Sequence, residues 1–123
     1  MDFLKHDYAE IFIKDGILYF TYLPIQNFDI QSAEKIVAAR LGMQREQAYP
    51  ILCDMRQMSF PDLKARKYLA IQGSLLVKAV AYLVNPNISD YMTRFFIEVN
   101  QPLVSTAVFI TKNKAIHYLN QFK

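Results

Sequence analysis

Apolar and polar positions switch between two periods along this chain, and the switches mark out its elements. Tyr8 to Lys14 (YAEIFIK) and Ile17 to Leu23 (ILYFTYL) are aromatic and β-branched runs separated by Asp15-Gly16. Both central residues of a type I′ turn need positive φ, so Asp-Gly between two such runs predicts an antiparallel hairpin. Pro24 ends its second strand. Ile30, Ala33, Val37 and Leu41 then recur at helical spacing behind Asp29, whose carboxylate suits the free N–H groups of a first turn. Glu34, Lys35 and Arg40 fall on other faces of that helix. Gly42 suits its C-terminal cap, with a further turn through Gln47 left open.

Pro50 precedes a third strand, Ile51 to Met55, and a second helix starts at Asp62 with Leu63, Tyr68, Leu69 and Ile71 before Gly73-Ser74. Lys78 to Val84 (KAVAYLV) is a fourth strand, broken by Asn85-Pro86-Asn87. Ser89 suits the cap of a third helix carrying Tyr91, Met92, Phe95, Phe96 and Val99, which Gln101-Pro102 ends. Ser105 to Thr111 is a fifth strand, and Asn113 opens a last amphipathic helix with Ala115, Ile116, Leu119 and Phe122. The order is β-β-α-β-α-β-α-β-α. After the hairpin, this alternation demands parallel strands joined by right-handed crossovers. The expectation is a single α/β domain over residues 1–123 with a five-stranded, mostly parallel sheet and a flexible N-terminus over residues 1–7. The last three strands are apolar on both alternations, which calls for cover on both faces. Four helices are few for that task, so a second copy of the chain, as a homodimer, or an apolar ligand is expected to cover the remainder.

Composition narrows the class. The 123 residues suffice for one core, and with 53% hydrophobic and 20% charged residues the chain lies at the apolar end of soluble proteins. The absence of a spanning apolar run, of a signal-peptide core in MDFLKHDYAE and of any partner for Cys53 points to the cytoplasm. Net charge is only +3, with 14 basic residues scattered among 11 acidic ones, which argues against a nucleic-acid partner. Lys64, Arg66 and Lys67 form the densest basic cluster, enough only for weak, salt-sensitive contact with a membrane surface. The three Gly are isolated at turns and the two His, His6 and His117, are far apart, so no cofactor or metal is expected.

Chemistry is best sought in Ile51 to Arg66 (ILCDMRQMSFPDLKAR), where a strand end feeds a helix start. Asp54 and Asp62 have the residue type for acid–base work or a divalent cation. With no third ligand nearby, they read better as hydrogen-bond acceptors of the loop and the helix cap. Cys53 would need a base to act as a nucleophile and otherwise reads as a small core residue. The other candidate is apolar: Phe60, Tyr68, Tyr91, Met92, Phe95 and Phe96 come from the second helix, the third helix and the loop after Asp54. Tyr91 with Phe95 and Met92 with Phe96 are two i,i+4 pairs covering more than half of the third helix, more than one packed face absorbs. Arg56, Arg66 and Arg94 are available as a charged rim.

The element order, with Asp54 ending the third strand, Ala79 to Val84 as the fourth, the Asn100-Gln101-Pro102 break before Val108-Phe109 and the final Ala115 to Leu119 helix, resembles the STAS fold of anti-sigma-factor antagonists. The SpoIIAA-like branch, which is structurally similar to the lipid-binding Sec14 (CRAL-TRIO) domains, is the one it resembles most. In that family a pattern resembling D-L-S-x-V-x-F-I-D-S-S-G carries a Ser that a partner kinase phosphorylates at a helix N-terminus. Asp54, Met55, Met58, Ser59, Phe60 and Asp62 fall on that pattern, but Leu63 and Lys64 occupy its two Ser positions and Ala65 its Gly. A phosphate would bring an anion there, whereas Lys64 brings a cation, so the resemblance implies the fold without the phosphorylation switch. The reading is a non-enzymatic binding or regulatory module acting through protein interaction at Phe60, Lys64, Arg66, Tyr68, Tyr91, Met92, Phe95 and Phe96. The alternative is a carrier or sensor of a small apolar ligand or lipid between the second and third helices. An enzyme built on Asp54, Asp62 and Cys53 ranks last, and requires the three side chains to converge on one cleft.

Overall fold

Six strands lie side by side in the order in which the chain makes them: β1 (Phe3–His6), β2 (Ala9–Lys14), β3 (Ile17–Tyr22), β4 (Tyr49–Asp54), β5 (Val77–Leu83) and β6 (Ser105–Phe109). The structure, a computed structural model, describes residues 3–123. Pairing is antiparallel from β1 to β3 and parallel from β3 to β6, so the sheet is mixed and has one strand more than the five expected from the sequence. The extra strand lies in the segment expected to be flexible. Residues 1–2 of that segment lie outside the described residues, but Phe3–His6 pair with β2 through His6↔Ala9 and Leu4↔Ile11. Four residues with a lysine and a histidine among them give too short an alternation to read as a strand. The fixing contact is tertiary, with Leu4 packing against the main core.

At the β2–β3 hairpin, Asp15 and Gly16 both take positive φ, 52° and 78°, as a type I′ turn requires. Pro50 has no N–H to give a neighbouring strand. It is accommodated inside β4 because the register against β5 shifts between Tyr49 and Pro50.

Four helices follow: α1 (Ile30–Gln44), α2 (Leu63–Ile71), α3 (Ile88–Phe95) and α4 (Lys112–Leu119). Asp29 caps α1 by accepting from Ser32 N at 2.9 Å, and Asp62 caps α2 by accepting from Ala65 N at 2.9 Å. The cap of α3 is Asn87, accepting from Ser89 N at 2.9 Å, rather than Ser89. Helix α1 runs through Gly42 to Gln44, and Arg45 ends it in the left-handed region. Each crossover from β3 to β6 steps one strand in the same direction. Right-handed connections then place α1, α2 and α3 on one face of the sheet. Helix α4 follows the last strand and folds onto the other face.

The cores divide accordingly. Alternate strand residues Ile11, Leu18, Phe20, Ile51, Cys53, Val80 and Tyr82 meet Ile36, Val37, Ala65 and Leu69 in the larger core. The opposite parity, Ile17, Leu52, Ala79, Ala81 and Leu83, meets Ala115 and Leu119 of α4 in a smaller one. Helix α4 reaches β4, β5 and β6. Beyond it, on β2 and β3, Phe12 and Tyr19 stack nearly parallel with ring centroids 4.6 Å apart, and the Lys112 ammonium lies over the Tyr19 ring. Among the described residues no helix is long and apolar enough to cross a membrane, and no three metal-binding side chains cluster.

Candidate functional site

The loop that leaves β4 spends its polar atoms on anchoring and turns its apolar side chains inward. Ser59 Oγ accepts from Ile25 N at 2.9 Å, and Asp62 N–H donates to Phe28 O at 2.9 Å, so the loop is pinned to the β3–α1 connection. Asp54 takes both nitrogens of the Arg56 fork, at 3.0 and 2.8 Å, and also accepts from the Arg56 backbone N–H. Met55, Met58, Phe60 and Pro61 are left to form one wall of a pocket.

The floor of that pocket is the helix-covered face of the sheet, with Phe20, Tyr22, Ile51, Cys53, Val80 and Tyr82. Leu69 and Arg66 of α2 and Met92 of α3 close it from above, together with Phe96 at the start of a π-helical turn (Phe96–Asn100) that continues α3. The pocket leaves about 70 Å³ to the centres of water-sized molecules and about 660 Å³ of empty space when its open mouth is included. Since one water needs roughly 10–15 Å³ by the first measure, this is room for a small molecule or part of one. Met55, Met58 and Met92 give the lining unusual freedom to adapt, because an unbranched thioether chain repacks at little cost.

Two arginines give this apolar space its electrostatics. Arg40, on α1, is only 4% exposed. Its Nη1 donates to Gln44 Oε1 and to Leu75 O (3.0 Å), and its Nη2 to Gly73 O (3.1 Å). Gln44 in turn donates to Gln47 O and Leu76 O, so the pair ties the end of α1 to the carbonyls that follow α2. A cation beside the carbonyl end of a helix is in a favourable field. Burial nevertheless pushes the Arg40 pKa down, the neighbouring Tyr22 and Cys53 opposing that shift. Burial likewise pushes the hydroxyls of Tyr22 and Tyr82 and the Cys53 thiol upward. Arg66 stands at the mouth. Its guanidinium lies 5.2 Å from the Phe60 ring centroid and 5.4 Å from that of Phe95, and its Nη1 donates to Pro61 O at 2.8 Å.

The residues singled out from the sequence do not all come together. Phe60, Arg66, Met92 and Phe96 line the pocket, and Phe95 meets Phe60 edge-on at the lip with ring centroids 5.8 Å apart. Tyr68 packs on the main core instead, while Lys64 and Tyr91 face solvent, Tyr91 at 64% exposure. The two i,i+4 pairs of α3 are thus shared out, one inward and one divided between lip and surface. Cys53 belongs to the larger core, whereas Asp54, next along the strand, has the parity of Leu52 and points to the α4 side. Asp62 is held at its cap. The three groups of the enzyme reading therefore do not converge. The thiol is protected by place and by charge state, so it is expected to resist a disulfide reagent at pH 8 in the native protein and to react at once in urea. Rapid labelling of native protein would mean that the pocket floor opens readily.

Arg40 is the pocket residue that periodicity missed. Assigned to a polar face, it occupies the buried one, in line with Ile36 and Gln44. The 36–40–44 spacing was visible, but an arginine in that row reads as surface unless its acceptors, here more than thirty residues away, are known.

Comparison with known proteins agrees with this architecture. A search of the curated proteins finds no match. Among solved structures, an uncharacterised protein of the DUF3478 family with a SpoIIAA-like fold, from Shewanella loihica PV-4, is similar at a TM-score of 0.61. The similarity covers 90% of this chain and 91% of that one at 15% sequence identity. The fold is therefore SpoIIAA-like, in agreement with the resemblance read from the element order. The family model for the domain of unknown function DUF7793 matches residues 11–123, and the chain belongs to that family.

Proposed function

We propose that this chain is a non-enzymatic, cytoplasmic binding module whose working part is the pocket between the sheet and helices α2 and α3, where it holds a small apolar ligand. The observation that carries this reading is the pocket's construction: an apolar floor, three methionines and a lip of Phe60, Arg66 and Phe95 on an anchored loop. Concave, mostly apolar sites with a few placed polar groups are what small ligands occupy. The reading differs in emphasis from interaction with a protein through the whole surface of α2 and α3. Lys64 and Tyr91 lie outside the pocket, and Tyr68 is occupied by the core.

Self-association is a second reading with support of its own. Leu103 N–H donates to Ser74 Oγ at 3.3 Å, which brings Leu103 beside Leu75, and both side chains are exposed close to the unpaired edge of β6. An apolar patch beside an open edge suits a second copy of the chain. Native mass spectrometry of protein extracted gently from its source reads both points in one spectrum. A reproducible small-molecule adduct supports the pocket and a mass of twice the chain supports the dimer. A bare monomer at micromolar concentration would remove both.

A further inference from the structure

Arg40 sets a condition on what the pocket holds. Among the described residues the ion pairs are Arg56–Asp54 and Arg94–Asp90, so neither guanidinium of the pocket is paired with a carboxylate. Arg40 is 96% removed from solvent, and the partners it has are neutral oxygens on Gln44, Gly73 and Leu75. A guanidinium has five N–H groups. The Arg40 Nε–H and one N–H of Nη2 have no acceptor among the described residues, and the side chain borders the cavity. The hydroxyls of Tyr22 and Tyr82, on the floor of the same cavity, also make no hydrogen bond among the described residues. A second donor waits at the mouth, where the Arg66 Nε is buried without an acceptor.

We infer that the ligand is a short apolar molecule ending in an oxyanion, a carboxylate or a phosphate, which pairs with Arg40 inside the pocket while its apolar part lies against the methionines and the aromatic lip. The inference rests on the pocket being a ligand site and adds the ligand's charge. The Arg40 charge is already desolvated in the folded protein, so an arriving oxyanion gains a strong partner without repeating that cost on the protein's side. The planar fork suits either oxyanion. An uncharged ligand of the same length can offer these donors at most a neutral acceptor, without the charge pairing.

The test is calorimetric titration of the full chain with octanoate, octyl phosphate and 1-octanol, each below its micellar concentration. At least one of the two anions is expected to bind ten-fold or more tighter than octanol, and which one does so identifies the oxyanion. Arg40→Gln, confirmed as folded by circular dichroism, is expected to reduce that preference to about two-fold, and Arg66→Gln to leave most of it. Should Arg40→Gln fail to fold, the nitrogen resonances of Arg40 in the unaltered protein carry the test, the Arg66→Gln spectrum identifying Arg66. They are expected to shift clearly further with the anion than with octanol. Equal affinity for all three probes would overturn the anion inference and leave the apolar pocket standing, whereas binding of none would overturn both. A preference that survives Arg40→Gln and vanishes in Arg66→Gln, or Arg40 resonances indifferent to the anion, would overturn the role of Arg40.

Discussion

Replacing Leu119 by Ala is expected to lower the free energy of unfolding by about 3 kcal/mol, in the lower part of the range of roughly 2–5 kcal/mol for emptying a fully buried leucine site. Leu119 has no exposed surface and belongs to the smaller core, whose other members are mostly Ala79, Ala81, Ala115 and the sheet residues Ile17, Leu52 and Leu83. Small alanines on both sides let α4 approach the sheet closely. The larger side chains at the margin of this core, Phe109, Ile116, Tyr118 and Phe122 among them, are expected to fill only part of the space that Leu119 would vacate, so a cavity term remains. The loss falls on the helix that makes this core on its face of the sheet. Urea unfolding followed by circular dichroism checks the figure, and its slope separates two outcomes. An unchanged slope with a lower midpoint means a cavity in an intact fold. A smaller slope means that α4 has come away before the rest unfolds, since the slope follows the surface exposed in the transition. A loss under about 1 kcal/mol would show that α4 contributes little to this core.

Arg40→Met should cost about 2–4 kcal/mol for a different reason. The substitution keeps the length of the stem and removes a burdensome buried charge, which by itself is favourable. It also removes the Arg40 donors to Gly73 O and Leu75 O and the partner of Gln44 Oε1. Acceptors stripped of a charged donor and only partly reachable by water lose about 1–3 kcal/mol each at most, and the sum outweighs the relief. The connection between α2 and β5 is already demanding, with Leu76 at φ 58°, and the carbonyls flanking it hold its shape only while Arg40 and Gln44 grip them. Arg40→Lys, which keeps the charge but cannot reproduce the fork, should fall between wild type and Met. Chemical unfolding of the three proteins side by side checks the order. A Met variant as stable as the wild type would mean that the charge was a burden rather than a tie.

The hairpin was legible because Asp15-Gly16 admits one kind of turn, and the alternation after it because each strand is short, apolar and bounded by Pro, Asn or Gly. Both faces of β4 and β5 are covered as read, since no polar parity exists in Val77–Leu83 except Lys78, but β6, read the same way, is exposed at Ser105 and only half-buried from Thr106 to Phe109 because it lies at the sheet edge. About a quarter of the pocket lining was legible too, four of its sixteen residues. Phe60, Arg66, Met92 and Phe96 stood out because large apolar side chains crowded a loop and a helix beyond what one packed face absorbs. The β1 strand was not legible, because four residues carry no period and their pairing is decided by Leu4 finding the core. Nor was the allotment of the aromatic residues: Tyr68 and Tyr91 have the same chemistry, yet one packs inward and the other stands in solvent.

What the amino-acid sequence by itself determined was the order and kind of the elements after β1 and the right-handed alternation that makes a SpoIIAA-like sheet. These rest on local chemistry: turn residues, caps and periods. What only the tertiary structure decided was the inside of the pocket. The floor residues Phe20, Tyr22, Ile51, Cys53, Val80 and Tyr82 belong to three separate strands and become neighbours only through parallel pairing. Arg40 joins them because the carbonyls that follow α2 hold it there. A buried charge has no signature in a single stretch of sequence, since its burial is made tolerable by partners that the fold alone supplies.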